Sequence, residues 1–465
     1  MNFRTGPGWG FLIAIAASVI LVHGTRAQNT STSSSSVGPD PQEIPVPAIK
    51  TAMKPLPGVS KLPVRAGMPD VLVMNDGKPV RTTAQWNRRR EEMKRILEYY
   101  AVGIAPPPPG NVKGKEIKSQ LLKGGNGREV KYRLVHLTFG PHESLSLDIG
   151  IFTPVAGGPF PAVIMPGGTP PGATPLPRLP PGPGQGTGVN ALLKVGPAEN
   201  QPAPPAGPGR MLNAEDIAAR NAALAHGFAY VTFNNNDCGE DTTLRNADGS
   251  WAFRNTRFYP AYPGYDWGLL RGWAWGVSRI IDYLETDSSI DKTKLIVSGV
   301  SRTGKSALVA GALDERIALV APVASSGGGT PAFRFSGAEH GGNEGLSEMM
   351  KKYPNWFSPH LHEFWGQAEK LPFDQHWFIA LAAPRPFIAL EGTKDQNVNH
   401  NGVKQSWLAA RPAYALLGAT DRVGVNWTER PHGMVEGDWE AMLTFADRFL
   451  LGKQVERRFD QFPVR

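Results

Sequence analysis

A single cysteine, Cys238, stands in 465 residues, so neither an intrachain disulfide nor a multi-cysteine zinc site can be built. Long hydrophobic runs are equally scarce. The one extended run, Phe11 to Val22 (FLIAIAASVILV), is shorter than the roughly 20 residues a membrane-spanning helix needs. No fixed-period internal repeat is visible. Charged residues make up only 19% and hydrophobic residues 41%, a balance that excludes a mainly disordered chain. The net charge of +8 raises nucleic-acid binding, yet no basic cluster supports it. The densest run, Arg88-Arg89-Arg90, is followed at once by Glu91-Glu92. The pairs Arg88/Glu92 and Glu91/Arg95 have i,i+4 spacing, which predicts a solvated helix face.

What the chain has in excess is glycine (53) and proline (43), about a fifth of all residues, so long structured loops or linkers are required. Residues 1–27 form an export signal: Arg4, the apolar run, then Thr25-Arg26-Ala27 at the cut. An uncleaved anchor is the alternative, because Arg26 is unusual beside a cleavage site. Removal of this segment leaves a soluble protein outside the cytoplasm, secreted or periplasmic. Residues 28–60 are a Ser/Pro-rich linker, 61–455 a single catalytic domain and 456–465 a tail. Within the domain, 169–212 is a Pro/Gly-dense insertion. It leaves from the end of a buried strand and is expected to wall a cleft there.

The remaining pattern alternates strands and helices. A helix opens near Thr83 with Trp86, Met93, Ile96, Leu97 and Tyr100 on one face. Val130–Phe139 and Ser144–Thr153 alternate like an antiparallel pair. Short apolar strands follow at Pro161–Met165, Phe228–Phe233, Lys294–Ser298, Ile317–Val323 and Phe387–Leu390. Helices are expected at Ala214–His226, at Asp266–Leu284 with Asp266 as N-cap, and at Lys305–Leu313. This order predicts an α/β fold with a mostly parallel sheet covered on both faces.

Chemistry-bearing residues gather at predicted strand ends. Gly299-Val-Ser301-Arg-Thr-Gly304-Lys305 lies between a buried strand and a helix, where a nucleophile elbow sits. Its second glycine falls one place later than in G-x-S-x-G. Gly299 to Ser306 also matches the phosphate-loop pattern, but the hydrophobic strand Ile317–Val323 ends in Ala-Ser-Ser rather than a magnesium-holding aspartate. A serine nucleophile needs a base and an acid downstream, in the chain order Ser, acid, His. His432, on a late loop, fits the base; His340, His376 and His400 compete. Asp395, just past Phe387–Leu390, fits the acid; Glu391 and Glu436 compete. His360-x-His362 has no third ligand at useful spacing and is read as packing or surface histidine. Most of the twelve tryptophans are assigned to the core.

Four segments together resemble one family: Gly299-Val-Ser-Arg-Thr-Gly-Lys305, Trp273-Ala-Trp-Gly276, Leu371-Pro-Phe-Asp-Gln-His376 and Ala383-Pro-Arg-Pro386. They are similar to the glucuronoyl esterases, serine esterases of the α/β-hydrolase fold, over roughly residues 65–452. The resemblance implies cleavage of esters between lignin alcohols and the 4-O-methyl-glucuronic acid of xylan. It implies Ser301 as nucleophile, His432 as base, Arg302 as the oxyanion-stabilising residue, and Lys305 and Glu344 as contacts to sugar hydroxyls. No cofactor and no metal is implied, the partner is the glucuronoxylan–lignin ester, and a monomer is expected. Some members carry the acid as a glutamate 23 residues after the nucleophile; here that position is Ala324, which leaves Asp395, the alternative of other members. Those members tend to have tryptophan after that aspartate, where Gln396 and Asn397 stand here. The rival readings are an acetyl-xylan or small-ester hydrolase and an inactive carbohydrate-binding module.

Overall fold

The computed structural model describes residues 55–123, 129–180, 214–337 and 344–462. The expected export segment, nearly all of the linker and residues 181–212 of the insertion lie outside the described residues. Among the described residues no helix is long and apolar enough to cross a membrane.

Nine strands form one sheet in the order β1-β2-β3-β5-β4-β6-β7-β8-β9. The first three, β1 (Lys113–Lys123), β2 (Glu129–Phe139) and β3 (Leu145–Pro154), run antiparallel to their neighbours, including β3 against β5 (Ala229–Phe233). From β5 onward, through β4 (Phe160–Pro166), β6 (Ile290–Val300), β7 (Leu319–Val323), β8 (Phe387–Gly392) and β9 (Val423–Thr428), all pairs are parallel. β5, β7 and β8 are buried along their whole length. That follows from apolar residues on both faces, as a sheet sandwiched between helices requires. One core contains α1 (Thr83–Leu97), α3 (Leu269–Leu284), α4 (Arg302–Leu313), α6 (His376–Ala382) and α7 (His400–Leu416). The other contains α2 (Ala214–Ala225) and α8 (Glu436–Leu450). The three-layer α/β-hydrolase arrangement expected from the sequence is what forms. A short further helix, α5 (Leu346–Lys352), lies in the long β7–β8 connection.

Several expectations are corrected. α1 buries its predicted apolar face, and Thr82 closes a capping box with Gln85. Its charges do not form the i,i+4 ladder. Arg89 is buried, 4.5 Å from the centre of the Trp377 ring, and bonds Glu92 at 2.5 Å, while Lys94 reaches Glu91 and Glu315. α3 starts at Leu269 with Gly268 as N-cap. Asp266 instead accepts the Ile104 N–H at 2.8 Å, tying the chain after α1 to this helix. The proposed linker ends earlier than expected: Val59 is buried, and the Tyr100 hydroxyl donates to the Pro57 carbonyl. The tail also docks, since Phe459 is buried and its carbonyl accepts the Val425 N–H. Most described tryptophans are buried in the core.

Candidate active site

β6 turns into α4 at a single residue, Ser301, whose φ of 57° and ψ of −121° lie where L-residues are strained. The turn is closed on both sides by glycines that cannot be replaced without moving backbone. A Cβ on Gly299 would stand 2.5 Å from the Thr303 carbonyl oxygen. One on Gly304 would stand 2.8 Å from the carbonyl oxygens of Gly299 and Val323. The second glycine is therefore displaced by one place because residue 304, not 303, meets β7. Thr303 occupies the intervening position and locks the elbow: its hydroxyl accepts the Val300 N–H and donates to the Val300 carbonyl, each at 2.9 Å. α4 consequently opens at Arg302, three residues earlier than expected. The phosphate-loop reading fails here, because Lys305 is 1% exposed and faces Glu344 rather than an open cradle.

At the ends of β8 and β9 the chain brings Asp395 and His432 together, Nδ1 to Oδ2, at 2.8 Å. Asp395 is buried and its other oxygen accepts the Asn397 N–H at 2.9 Å. Burial is the largest single influence and raises its pKa, but the bond and charge of His432, the Asn397 N–H and the Arg430 charge together outweigh it, and the carboxyl lies below the ordinary aspartate range. Arg430 braces the histidine loop. Its guanidinium bonds Asp438 at 2.5 Å, the Leu390 carbonyl at 3.1 Å and the Pro431 carbonyl at 3.0 Å. Two competing histidines are structural. His376 is fully buried on the Pro69 carbonyl, with its pKa pushed down to about 4 by burial, and His400 bonds the Gly392 carbonyl. His340 lies outside the described residues. His360 stacks on Tyr99 and bonds Glu363, and His362 bonds the Pro354 carbonyl, so that pair packs as expected.

Glu391, the competing acid, lies inside β8 with no exposed surface. One oxygen meets the Thr330 hydroxyl at 2.5 Å, which in turn meets Ser325 at 2.8 Å; the other has no partner among the described residues. Burial pushes its pKa up to about 8, so it is mostly neutral at pH 7. The folded state holds this proton more tightly than the unfolded chain. Its contribution to stability is thus fully present below the ordinary glutamate range and is lost as pH rises through about 8. The loss is on the order of 4 kcal/mol. Glu391→Gln keeps the shape and removes the titration. Urea denaturation from pH 5 to pH 9 should show a stability difference between the two proteins that changes by that order. Parallel pH curves would refute the assignment. Glu436, the other competitor, begins α8 and is not the partner of His432.

Arg302 and Lys305 project from the first turns of α4 toward a cluster of which the sequence offered only Glu344. The Arg302 guanidinium pairs with Asp241 and lies 5.3 Å from the centre of the Trp356 ring. Asp241 also accepts the Trp356 indole N–H at 2.8 Å, and Tyr353 stacks on that indole at 3.9 Å. Lys305 Nζ is 5.6 Å from the same ring and 3.7 Å from Glu344 Oε2. At that separation Glu344 Oε2 has no hydrogen bond among the described residues. Burial lowers the Lys305 pKa while Glu344 opposes the shift. The result is a rigid aromatic wall with buried charges of both signs beside the elbow. Asp241 belongs to the loop after β5, and its contacts with Arg302, 61 residues away, and Trp356, 115 residues away, give it meaning.

The described start of the insertion, 169–180, runs along that same loop. Asn234 bonds Thr169 at 3.3 Å, Glu240 accepts the Leu179 N–H at 2.5 Å, and Thr242 donates to the Pro180 carbonyl at 2.9 Å. This part of the insertion therefore lies at the carboxyl edge of the sheet, next to the loop that holds Arg302.

The family model described as glucuronyl esterase, fungi, matches residues 200–418. The chain is similar to a carbohydrate esterase from an unknown prokaryotic organism, 28% identical over 423 residues, 83% of this chain and 90% of that protein. It is also similar to the 4-O-methyl-glucuronoyl methylesterase of Phanerochaete carnosa, 29% identical over 83% of this chain and 82% of that one. Among solved structures, a glucuronoyl esterase variant from Sporotrichum thermophile in complex with methyl 4-O-methyl-β-D-glucopyranuronate matches with a TM-score of 0.61. Identity there is 25%, over 84% of this chain and 90% of the other.

Proposed function

We propose that the chain is a glucuronoyl esterase, as its similarity to that family suggests, and that it hydrolyses glucuronoyl esters that join 4-O-methyl-glucuronoxylan to lignin alcohols. The observation that carries this reading is the strained Ser301 elbow at the same sheet edge as the hydrogen-bonded Asp395–His432 pair. In the proposed reaction Ser301 Oγ attacks the ester carbonyl and His432 Nε2 takes its proton. The Arg302 N–H, in the first helical turn where N–H groups lack intrahelical acceptors, stabilises the oxyanion. The alcohol leaves with the proton from His432, and water then releases the uronic acid from the acyl-serine by the same steps. Asp395 fixes the His432 tautomer and stabilises its cation. Lys305 and Glu344 bind the sugar hydroxyls, with Glu344 Oε2 as an open acceptor. Residues 1–27 direct export, and the chain acts as a monomer.

The test compares benzyl glucuronate with 4-nitrophenyl acetate. The uronate ester should be the better substrate by kcat/KM although its leaving group is the poorer one. The reverse order would favour the acetyl-ester reading, and no turnover of either would favour an inactive binding module.

A further inference from the structure

Hydrolysis of an ester changes the charge at the reacting carbon, since the ester is neutral and the acid released is a carboxylate at neutral pH. In the reaction given above that carboxylate forms beside Ser301, and the next residue in the chain is Arg302. A guanidinium matches a carboxylate through two parallel N–H donors, and the Arg302 side chain is 45% exposed. An unopposed cation in this place would hold the product and keep the next substrate out.

The fold opposes that cation. Asp241 sets Oδ2 against Arg302 Nη1, with its own side chain only 6% exposed. Two further bonds fix the carboxylate: Oδ1 accepts the Trp356 indole N–H at 2.8 Å, and the Asp241 backbone N–H donates to Asn236 Oδ1 at 2.9 Å. The second cation, Lys305, is opposed in the same way by Glu344, at 3.7 Å. Both cations lie on the Trp356 ring, 5.3 and 5.6 Å from its centre, so the two pairs share one wall. Their charges also meet at Tyr353: burial raises its pKa most, Arg302 opposes the shift, and Glu344 and Asp241 add to it. The formal charges of the four side chains cancel. Lys305 is buried and Arg302 is not, so Asp241 decides what charge an anion meets at the elbow. We propose that Asp241 is a specificity-determining residue: by neutralising the Arg302 guanidinium, it keeps the uronate anion left by hydrolysis from being retained in place of the neutral ester. The proposal rests on the reading of the reaction given above and adds which of the two species the site releases, and through which residue.

The experiment titrates glucuronate and the methyl ester of glucuronic acid into the full chain by calorimetry, in a Ser301→Ala background that cannot turn the ester over. Asp241→Asn keeps the side-chain size and the acceptor for the Trp356 N–H, but turns an NH₂ donor on the guanidinium. It should tighten glucuronate about tenfold, the scale of one unopposed unit charge between protein and water, and change the methyl ester by no more than about twofold. Asp241→Glu keeps the charge and should keep the parent ratio of the two affinities. It also keeps the test open if the amide variant folds poorly. Equal shifts for both ligands would make Asp241 a structural contact alone and overturn the proposal. An unchanged ratio in Asp241→Asn, an altered ratio in Asp241→Glu, or no binding of either ligand overturns it too. The reaction is tested separately: a wild type that does not cleave benzyl glucuronate refutes the reaction, whereas the acid-to-ester ratio reads the charge at Asp241.

Discussion

Ser301→Ala should abolish ester cleavage, with kcat on benzyl glucuronate falling by about 10⁶, the loss seen when a serine protease loses its nucleophile. The fold should survive. Alanine has the same Cβ as serine, so the strained φ of 57° is neither relieved nor worsened, and the melting temperature should stay near wild type. Ser301→Gly provides the contrast, because glycine adopts this conformation freely. It should be equally inactive yet more stable by roughly 1 kcal/mol, the lower end of the strain held at such a residue. Thermal melts beside turnover separate the two effects. An alanine variant with wild-type turnover would refute the serine mechanism altogether. A glycine variant no more stable than alanine would show that the elbow is not strained.

What was legible in the sequence follows from where the information sits. Buried parallel strands announce themselves as short apolar runs, and their ends then position Ser301, Asp395 and His432. β1 was missed because KGKEIKSQLLK is an edge strand exposed along most of both faces, so no apolar alternation exists to be read. α7 was missed for a related reason. It buries Ser406, Ala410 and Ala413 beside Val403, Trp407 and Tyr414, and it carries Pro412 within the helix. Small residues and a proline blur the helical stripe that packing nevertheless uses. The role of Thr303 is local and could have been inferred from a hydroxyl three residues after a strand-end Val300. Those of Asp241 and Glu391 could not. Asp241 matters through Arg302 and Trp356, and Glu391 through Thr330, all more than 60 residues away in sequence.

Asp395→Asn should lower kcat by at least about 10², a conservative bound, since the same change in a serine protease cost roughly 10⁴. The reason lies in the bond from His432 Nδ1. Asp395 Oδ2 accepts it at 2.8 Å, and its Oδ1 is already held by the Asn397 N–H, so the carboxylate has a fixed orientation. An amide in that orientation places an NH₂ group against Nδ1, which forces the histidine to accept there and to hold its proton on Nε2. In that tautomer it cannot take the proton of Ser301. Substrate contacts are untouched, so KM should change little. Two other substitutions make the result specific. Glu391→Gln alters a carboxyl that is mostly neutral at pH 7 and bonded to Thr330, and Glu436→Gln alters the first residue of α8. Both should stay within severalfold of wild type in kcat. With alanine at position 324 and Glu391 buried inside β8, Asp395 is the carboxylate left to the mechanism. If Asp395→Asn also stays within severalfold, the catalytic acid lies elsewhere, and the geometry at the end of β8 serves the fold alone.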